Sequence, residues 1–307
     1  MAMKNRWGAA DYGTMGIMNR GYLYAIIAYA LWGLFPVYWK QLSNVPAGEI
    51  ILHRIFWSLG FLVIIELLRR QWSWIKQLYL FPKRTLTLGV AAVLLATNWF
   101  VYVWGVNHGF VVQASLGYFI TPLISVLLGV VLLGERLRRL QWAAVMLAAA
   151  GVLYLILGVG EIPWVALALA ISFGLYGFSK KKMHLEAIEG LTTEMAILFL
   201  PALLLYLLLA RRGEVHFADS SITMALLIGG GAVTATPLIF FGAATRKIPL
   251  SAIGVLQYIA PLLQFLIGVF LYHEPFSLGR LIGFVMIWIA VGVFLFDNIR
   301  AYRGVPV

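Results

Sequence analysis

Apolar residues along this chain gather into long blocks, with the polar residues collected between them. Ten blocks occur, over 21–39, 50–68, 86–106, 114–133, 142–158, 163–178, 191–210, 222–243, 250–272 and 278–296. Each is close to the ~20 residues with which a helix crosses a ~30 Å hydrocarbon core. The pattern predicts an all-α integral membrane protein with ten transmembrane helices and little soluble mass. Composition agrees: of 307 residues 62% are hydrophobic and 11% charged, and the mean hydropathy is +0.92. A soluble domain carries roughly 25% charged residues. The first apolar block lacks the small-residue cleavage site of a signal peptide and is read as a span.

The net charge of +11 is set by topology rather than by a nucleic-acid partner. Eighteen of the 23 Lys and Arg fall in the termini and in every second connection, such as Arg136, Arg138 and Arg139 or Lys180, Lys181 and Lys182. Five lie elsewhere: Lys40, Arg54, Arg211, Arg212 and Arg280. This positive-inside bias predicts both termini in the cytoplasm, and an even number of spans agrees. Between the second and third spans, residues 69–84 interleave Trp72, Trp74 and Tyr79 with five basic residues. That segment is expected to lie on the headgroups.

The chain also matches itself. At an offset of 139, SLGYFITPLISVLLGVVLLGE (115–135) aligns with GVLQYIAPLLQFLIGVFLYHE (254–274), setting Pro122 on Pro261, Gly129 on Gly268 and Glu135 on Glu274. WGLFPVYWK (32–40) resembles FGLYGFSKK (173–181) at an offset of 141. Two repeats of five spans follow, over 19–158 and 159–298, flanked by a disordered cytoplasmic tail (1–18) and a C-terminal cytoplasmic tail (299–307). Five is odd, so the second repeat enters the membrane from the opposite face, as in transporters that rock about a midplane site.

WGLFPVYWK (32–40), VPAGEIILHRIFWS (45–58), NWFVYVWGVN (98–107), QASLGYFITPL (113–123), LGERLRRLQW (133–142), YGFSKKK (176–182), AATR (243–246) and QYIAP (257–261) resemble the drug/metabolite transporter superfamily. Within it the likeness is to the EamA-type permeases of the RarD subfamily, and it extends over about residues 19–298. Gln113 stands where Glu is expected in the best-known member of this family. The resemblance implies a bacterial inner-membrane permease of ten helices with both ends inside. It implies transport without defining the cargo.

Ionisable groups inside apolar blocks need a reason, since a charge at the bilayer centre costs at least ~2.5–3.5 kcal/mol. Lys40 closes the first span and Glu49 opens the second, so they lie at similar depth and could pair on a solute path, the alternative being that both merely snorkel to the outer interface and neutralise each other. His53 is i+4 from Glu49 and shares its helix face. Arg54 lies beside it, about 7.5 Å deeper than Glu49 at 1.5 Å per residue. Two or three cations with one carboxylate suit an anionic or zwitterionic solute. Trp32, Asn98, Trp104, Asn107, Gln113, Tyr118, Tyr176, Gln257 and Tyr258 are further candidates for the solute path, the alternative being hydrogen-bond glue between helices. Glu135 is expected to pair with its neighbouring arginines.

The function expected is a secondary transporter moving a small organic solute by alternating access. A passive facilitator is the alternative. A membrane enzyme is a remoter one, because no metalloprotease, Ser/His/Asp or phosphate-loop pattern appears. Glu49 and His53 are the proton-coupling candidates. No cofactor, metal or nucleic acid is expected. The partners are the solute and membrane lipid, with the oligomeric state left open. Absence of cysteine excludes disulfides and thiolate chemistry.

Overall fold

Pro36, Pro46, Pro82 and the Glu186–Glu189 and Ser220 caps place the helix starts in the computed structural model. It describes residues 20–70, 72–157, 163–183, 185–273 and 278–303. The tail 1–18, the connection 159–162, Glu274 and the side chain of Asn107 lie outside the described residues. The helices are α1 (Arg20–Gly33), α2 (Phe35–Trp39), α3 (Ala47–Arg69), α4 (Ser73–Leu80), α5 (Pro82–Asn107), α6 (Val111–Leu133), α7 (Arg139–Leu157), α8 (Trp164–Lys182), α9 (Ala187–Arg211), α10 (Ser221–Thr245), α11 (Leu250–Gln257), α12 (Ile259–Leu266) and α13 (Leu278–Arg303). The last reaches into the segment expected to be a tail.

Among the described residues, nine helical stretches are long and apolar enough to cross a bilayer, α1 with α2 and α11 with α12 each forming one. α8 is the tenth span. It ends in Lys180, Lys181 and Lys182, which lower its hydropathy, yet it packs along both α5 and α6 and so shares their depth. α4 is the short helix between the second and third spans. Its Trp74 is buried against Leu88 and Leu185, while Trp72 stays partly exposed.

Helix pairings repeat when the halves are exchanged. α1 packs on α10 as α8 packs on α5, α1 on α11 and α12 as α8 on α6, and α3 on α10 as α9 on α5. Three further pairs, α3 with α9, α6 with α11 and α7 with α13, join equivalent helices across the pseudo-two-fold axis. These are two inverted five-helix repeats.

Small residues let backbones meet, as expected where lipid provides no hydrophobic drive between helices. A Cβ at Gly231 would stand 2.2 Å from the Trp57 carbonyl carbon, and Ser58 Oγ donates to Gly231 O across the same α3–α10 contact. A Cβ at Gly254 would stand 2.6 Å from Pro122 O where α6 crosses α11. The paired prolines act differently. α6 runs unbroken through Pro122, whereas the ninth span breaks at Tyr258, three residues before Pro261.

One end of the bundle gathers Arg20, Arg69, Lys180–Lys182 and Arg246, and is called the basic end here; the other is the far end. At the basic end Arg69 pairs with Glu186, Lys180 with Glu194, and Lys181 Nζ donates to Ile248 O. Glu135 belongs to this seal and corrects the expectation of an arginine pair. Its two oxygens accept from Leu250 N (2.6 Å) and Ser251 N (2.8 Å). Amides at a helix start have no intrahelical partner and carry positive partial charge, so the carboxylate caps α11 instead.

Candidate functional site

Arg54 stands eight residues into α3, about 10 Å below the far end at 1.5 Å per residue. Its Nε donates to Thr234 Oγ1 on α10 at 3.0 Å. The guanidinium lies over the Trp99 ring of α5 (4.3 Å to the centroid) and near the Trp39 ring of α2 (5.3 Å). Tyr102 and Tyr118, from α5 and α6, are within its electrostatic reach and pack edge to face at 6.1 Å. Both tyrosines keep free surface, at 39% and 41% exposed. Among the described residues no carboxylate pairs with Arg54.

Five helices thus wall a cation with aromatic faces at the interface of the two repeats. A guanidinium offers a planar fork of donors matched to a carboxylate or phosphate, and the rings add flat apolar surface. Thr234 leaves most of that fork free. Such a site can hold an anionic group bearing an organic body.

The other charges expected near Arg54 have different partners. Glu49 does not pair with Lys40. Its carboxylate accepts from His216 N (2.8 and 3.0 Å to the two oxygens) and contacts His216 Nδ1 at 3.1 Å, which ties the α9–α10 connection over the start of α3. His53 Nε2 lies 3.6 Å from Glu49 Oε1, and His53 Nδ1 accepts from Trp57 Nε1 at 3.1 Å. The His53 ring stacks on Phe217 of the same connection at 4.7 Å. Lys40 Nζ sits over the Tyr272 ring, 3.3 Å from its centroid. The α1–α3 turn therefore separates Lys40 and Glu49 between two different neighbours.

Several remaining candidates bond helix to helix. Asn98 Nδ2 donates to Leu169 O and Ser172 Oγ of α8, and Gln113 Oε1 accepts from Val165 N at the start of α8. Tyr258 OH donates to Phe119 O across the α6–α11 crossing. Trp104 stacks with His108 and Phe110 and meets Trp164 at the far end. Trp32 packs on Tyr29, Phe173 and Phe241, and its carbonyl accepts from Gln264. Gln257 is buried, with no partner for Oε1 among the described residues. Tyr176 is fully buried and donates to Glu194 Oε2 at 3.0 Å.

The structure adds Trp39, Trp99, Tyr102 and Thr234 to the Arg54 site, and a buried Lys180–Glu194 pair apart from it. An acid inside the block 191–210 was the available signal for Glu194. Lys180 carried a misleading one, because three consecutive lysines at a span end look like a solvated topology marker.

A ten-span bundle of inverted repeats with a polar site between them defines a membrane transporter. The comparisons agree. The profile of the EamA-like transporter family matches residues 19–157 and 162–296, one copy per repeat. The uncharacterized transporter YojE of Bacillus subtilis (strain 168) is 46% identical over 93% of this chain and 97% of its own length. The protein RarD of Streptomyces exfoliatus is 45% identical over 92% and 90%, and that of Escherichia coli (strain K12) 42% over 93% and 97%. A protein of known crystal structure shares the fold, with a TM-score of 0.69 at 20% identity over 89% of this chain and 96% of its own. The chain belongs to the EamA-like transporter family, in its RarD subfamily.

Proposed function

We propose that the chain is a secondary transporter that moves a small organic solute bearing a carboxylate or similar anionic group across the bacterial inner membrane by alternating access. The observation that carries this reading is Arg54: a cation inside the membrane, free of any described carboxylate, among Trp39, Trp99, Tyr102 and Tyr118. A lone guanidinium at that depth is costly unless it meets an anion there. The exposed surface of Tyr102 and Tyr118 beside it supports access from the far end, while the crosslinks at the basic end support closure on that side. The basic end is the cytoplasmic one on the positive-inside bias, with both termini there.

The test is a thermal-shift screen of the purified protein, since a ligand that binds the folded state raises its apparent stability. Amino acids and other carboxylates are paired with their neutral amides, beside nucleobases and amphenicols. The amphenicols enter because a 30% identical relative from Pseudomonas aeruginosa is named a chloramphenicol-sensitive protein. The reading expects stabilisation by an acid and not by its amide, lost in Arg54→Met. Stabilisation by neutral amphenicols alone, retained in Arg54→Met, overturns it.

A further inference from the structure

Glu194 and Lys180 form a charged pair shut away from water and from the Arg54 site. Lys180 Nζ lies 2.6 Å from Glu194 Oε1, with the side chains 3% and 0% exposed. Tyr176 OH donates to the other oxygen at 3.0 Å. The lysine stem runs against two glycines: a Cβ at Gly190 would lie 3.6 Å from Nζ, and one at Gly242 3.8 Å from Cε. A carboxylate so placed exchanges its stabilisation with a single cation and a single phenol. Lys180 and Tyr176 on α8 are the titratable groups facing it. The other helices packed on α9, namely α3, α5 and α10, present none to it among the described residues.

Its position in the repeat gives the pair a role. α3 and α9 begin 140 residues apart, at Ala47 and Ala187, and five buried positions of α3 from Leu52 to Leu62 recur on α9 from Thr192 to Ala202 at that spacing. The same spacing sets Glu194 on Arg54. The first repeat therefore carries a cation about 10 Å below the far end, and the second carries an anion about 10 Å below the basic end. An inverted repeat exchanges the environments of such positions when the access side changes. Arg54 adjoins the exposed surface of Tyr102 and Tyr118 in the present state, and Glu194 holds the sealed counterpart.

We propose that Glu194 is the proton-binding site of this transporter. One proton from hydronium at the basic end adds to a Glu194 carboxylate oxygen, the hydronium O–H bond breaking to leave water. The neutral acid no longer compensates Lys180, and a buried unpaired ammonium is costly. That cost is relieved when the basic end opens and Lys180 meets water or the anionic group released by Arg54. The second use rests on the function proposed above. Proton binding and opening do not, and they are testable without a solute.

The full chain is reconstituted in liposomes, and infrared difference spectra are recorded between acid and alkaline buffer. A buried carboxylic C=O band is expected to appear in acid, to vanish in Glu194→Gln and to persist in Glu66→Gln, which alters another buried acid at this end. Because the chain has no cysteine, Ser251→Cys at the sealed start of α11 reports opening by a membrane-impermeant maleimide applied at the basic end. Its labelling, normalised to Lys247→Cys in the exposed loop, is expected to rise severalfold on acidification. It should be high at every pH when combined with Glu194→Gln. In Lys180→Met the carboxyl stays protonated in both buffers, so its band drops out of the difference spectrum; this arm serves if Glu194→Gln does not fold. A band unaffected by Glu194→Gln, or by Lys180→Met, overturns the proposal. So does labelling of Ser251→Cys that ignores both pH and Glu194→Gln.

Discussion

Replacing Glu49 by alanine releases the α9–α10 connection from the far end of α3. The carboxylate is 1% exposed and takes two donors at hydrogen-bond distance, His216 N and Nδ1. A hydrogen bond to a charged group contributes about 1.5–3 kcal/mol, so two total about 3–6. The His216 side chain is 35% exposed and regains water once freed, which reduces the net loss to about 2–4 kcal/mol. Local opening of residues 212–220 then becomes roughly 30- to 700-fold more frequent at 1.4 kcal/mol per decade. Amide hydrogen exchange reads local opening of this kind directly. Peptides covering 212–220 should exchange faster by that factor in Glu49→Ala, while peptides from the α7–α13 pair remain unchanged. Exchange within threefold of the parent over 212–220 would refute the latch. Uniform acceleration everywhere would show that Glu49 supports the whole bundle.

Three further substitutions probe other contacts. Gly231→Leu places a side chain where even a Cβ meets Trp57 backbone at 2.2 Å; overpacking of ~1–3 kcal/mol or more should lower the melting temperature in detergent, and an unchanged melt contradicts the close α3–α10 contact. Glu135→Ala removes the cap of α11 and should cost about 1 kcal/mol, as helix N-caps do, measured as a lower melting point that Glu135→Asp partly restores. Arg138→Met breaks the bonds to Asp297 and Asn298 between α7 and α13, but the arginine is 46% exposed, so a loss below about 1 kcal/mol is expected and a large drop in melting would show that this bridge holds the pair together.

The ten spans, the two repeats and the family were legible because each follows from local patterns: block length, charge bias and collinear Pro, Gly and Glu. Arg54 stood out for the same reason, as a charge deep in an apolar block. Its surroundings did not, since Thr234 lies 180 residues away and Tyr118 on another span. Glu49 was read against Lys40 because they are neighbours in the chain, but its donor His216 comes from 167 residues away. Glu135 was read against adjacent arginines for want of the α11 amides, which only the tertiary fold brings to it. Among the remaining polar candidates, helix spacing does not distinguish a face turned to a cavity from one turned to a neighbouring helix. Asn98 and Gln113 turned to α8.

Arg54 is proposed to bind the solute's anionic group during transport. Counterflow in proteoliposomes tests this most directly, using the carboxylate that stabilises the purified protein, with unlabelled solute inside and labelled solute outside. Losing a charge-assisted hydrogen bond, about 1.5–3 kcal/mol, weakens binding roughly 10- to 150-fold. Arg54→Met, with a melting temperature close to the parent's, is expected to lose counterflow at solute concentrations that saturate the parent. Counterflow by Arg54→Met equal to that of the unmodified protein would contradict this role.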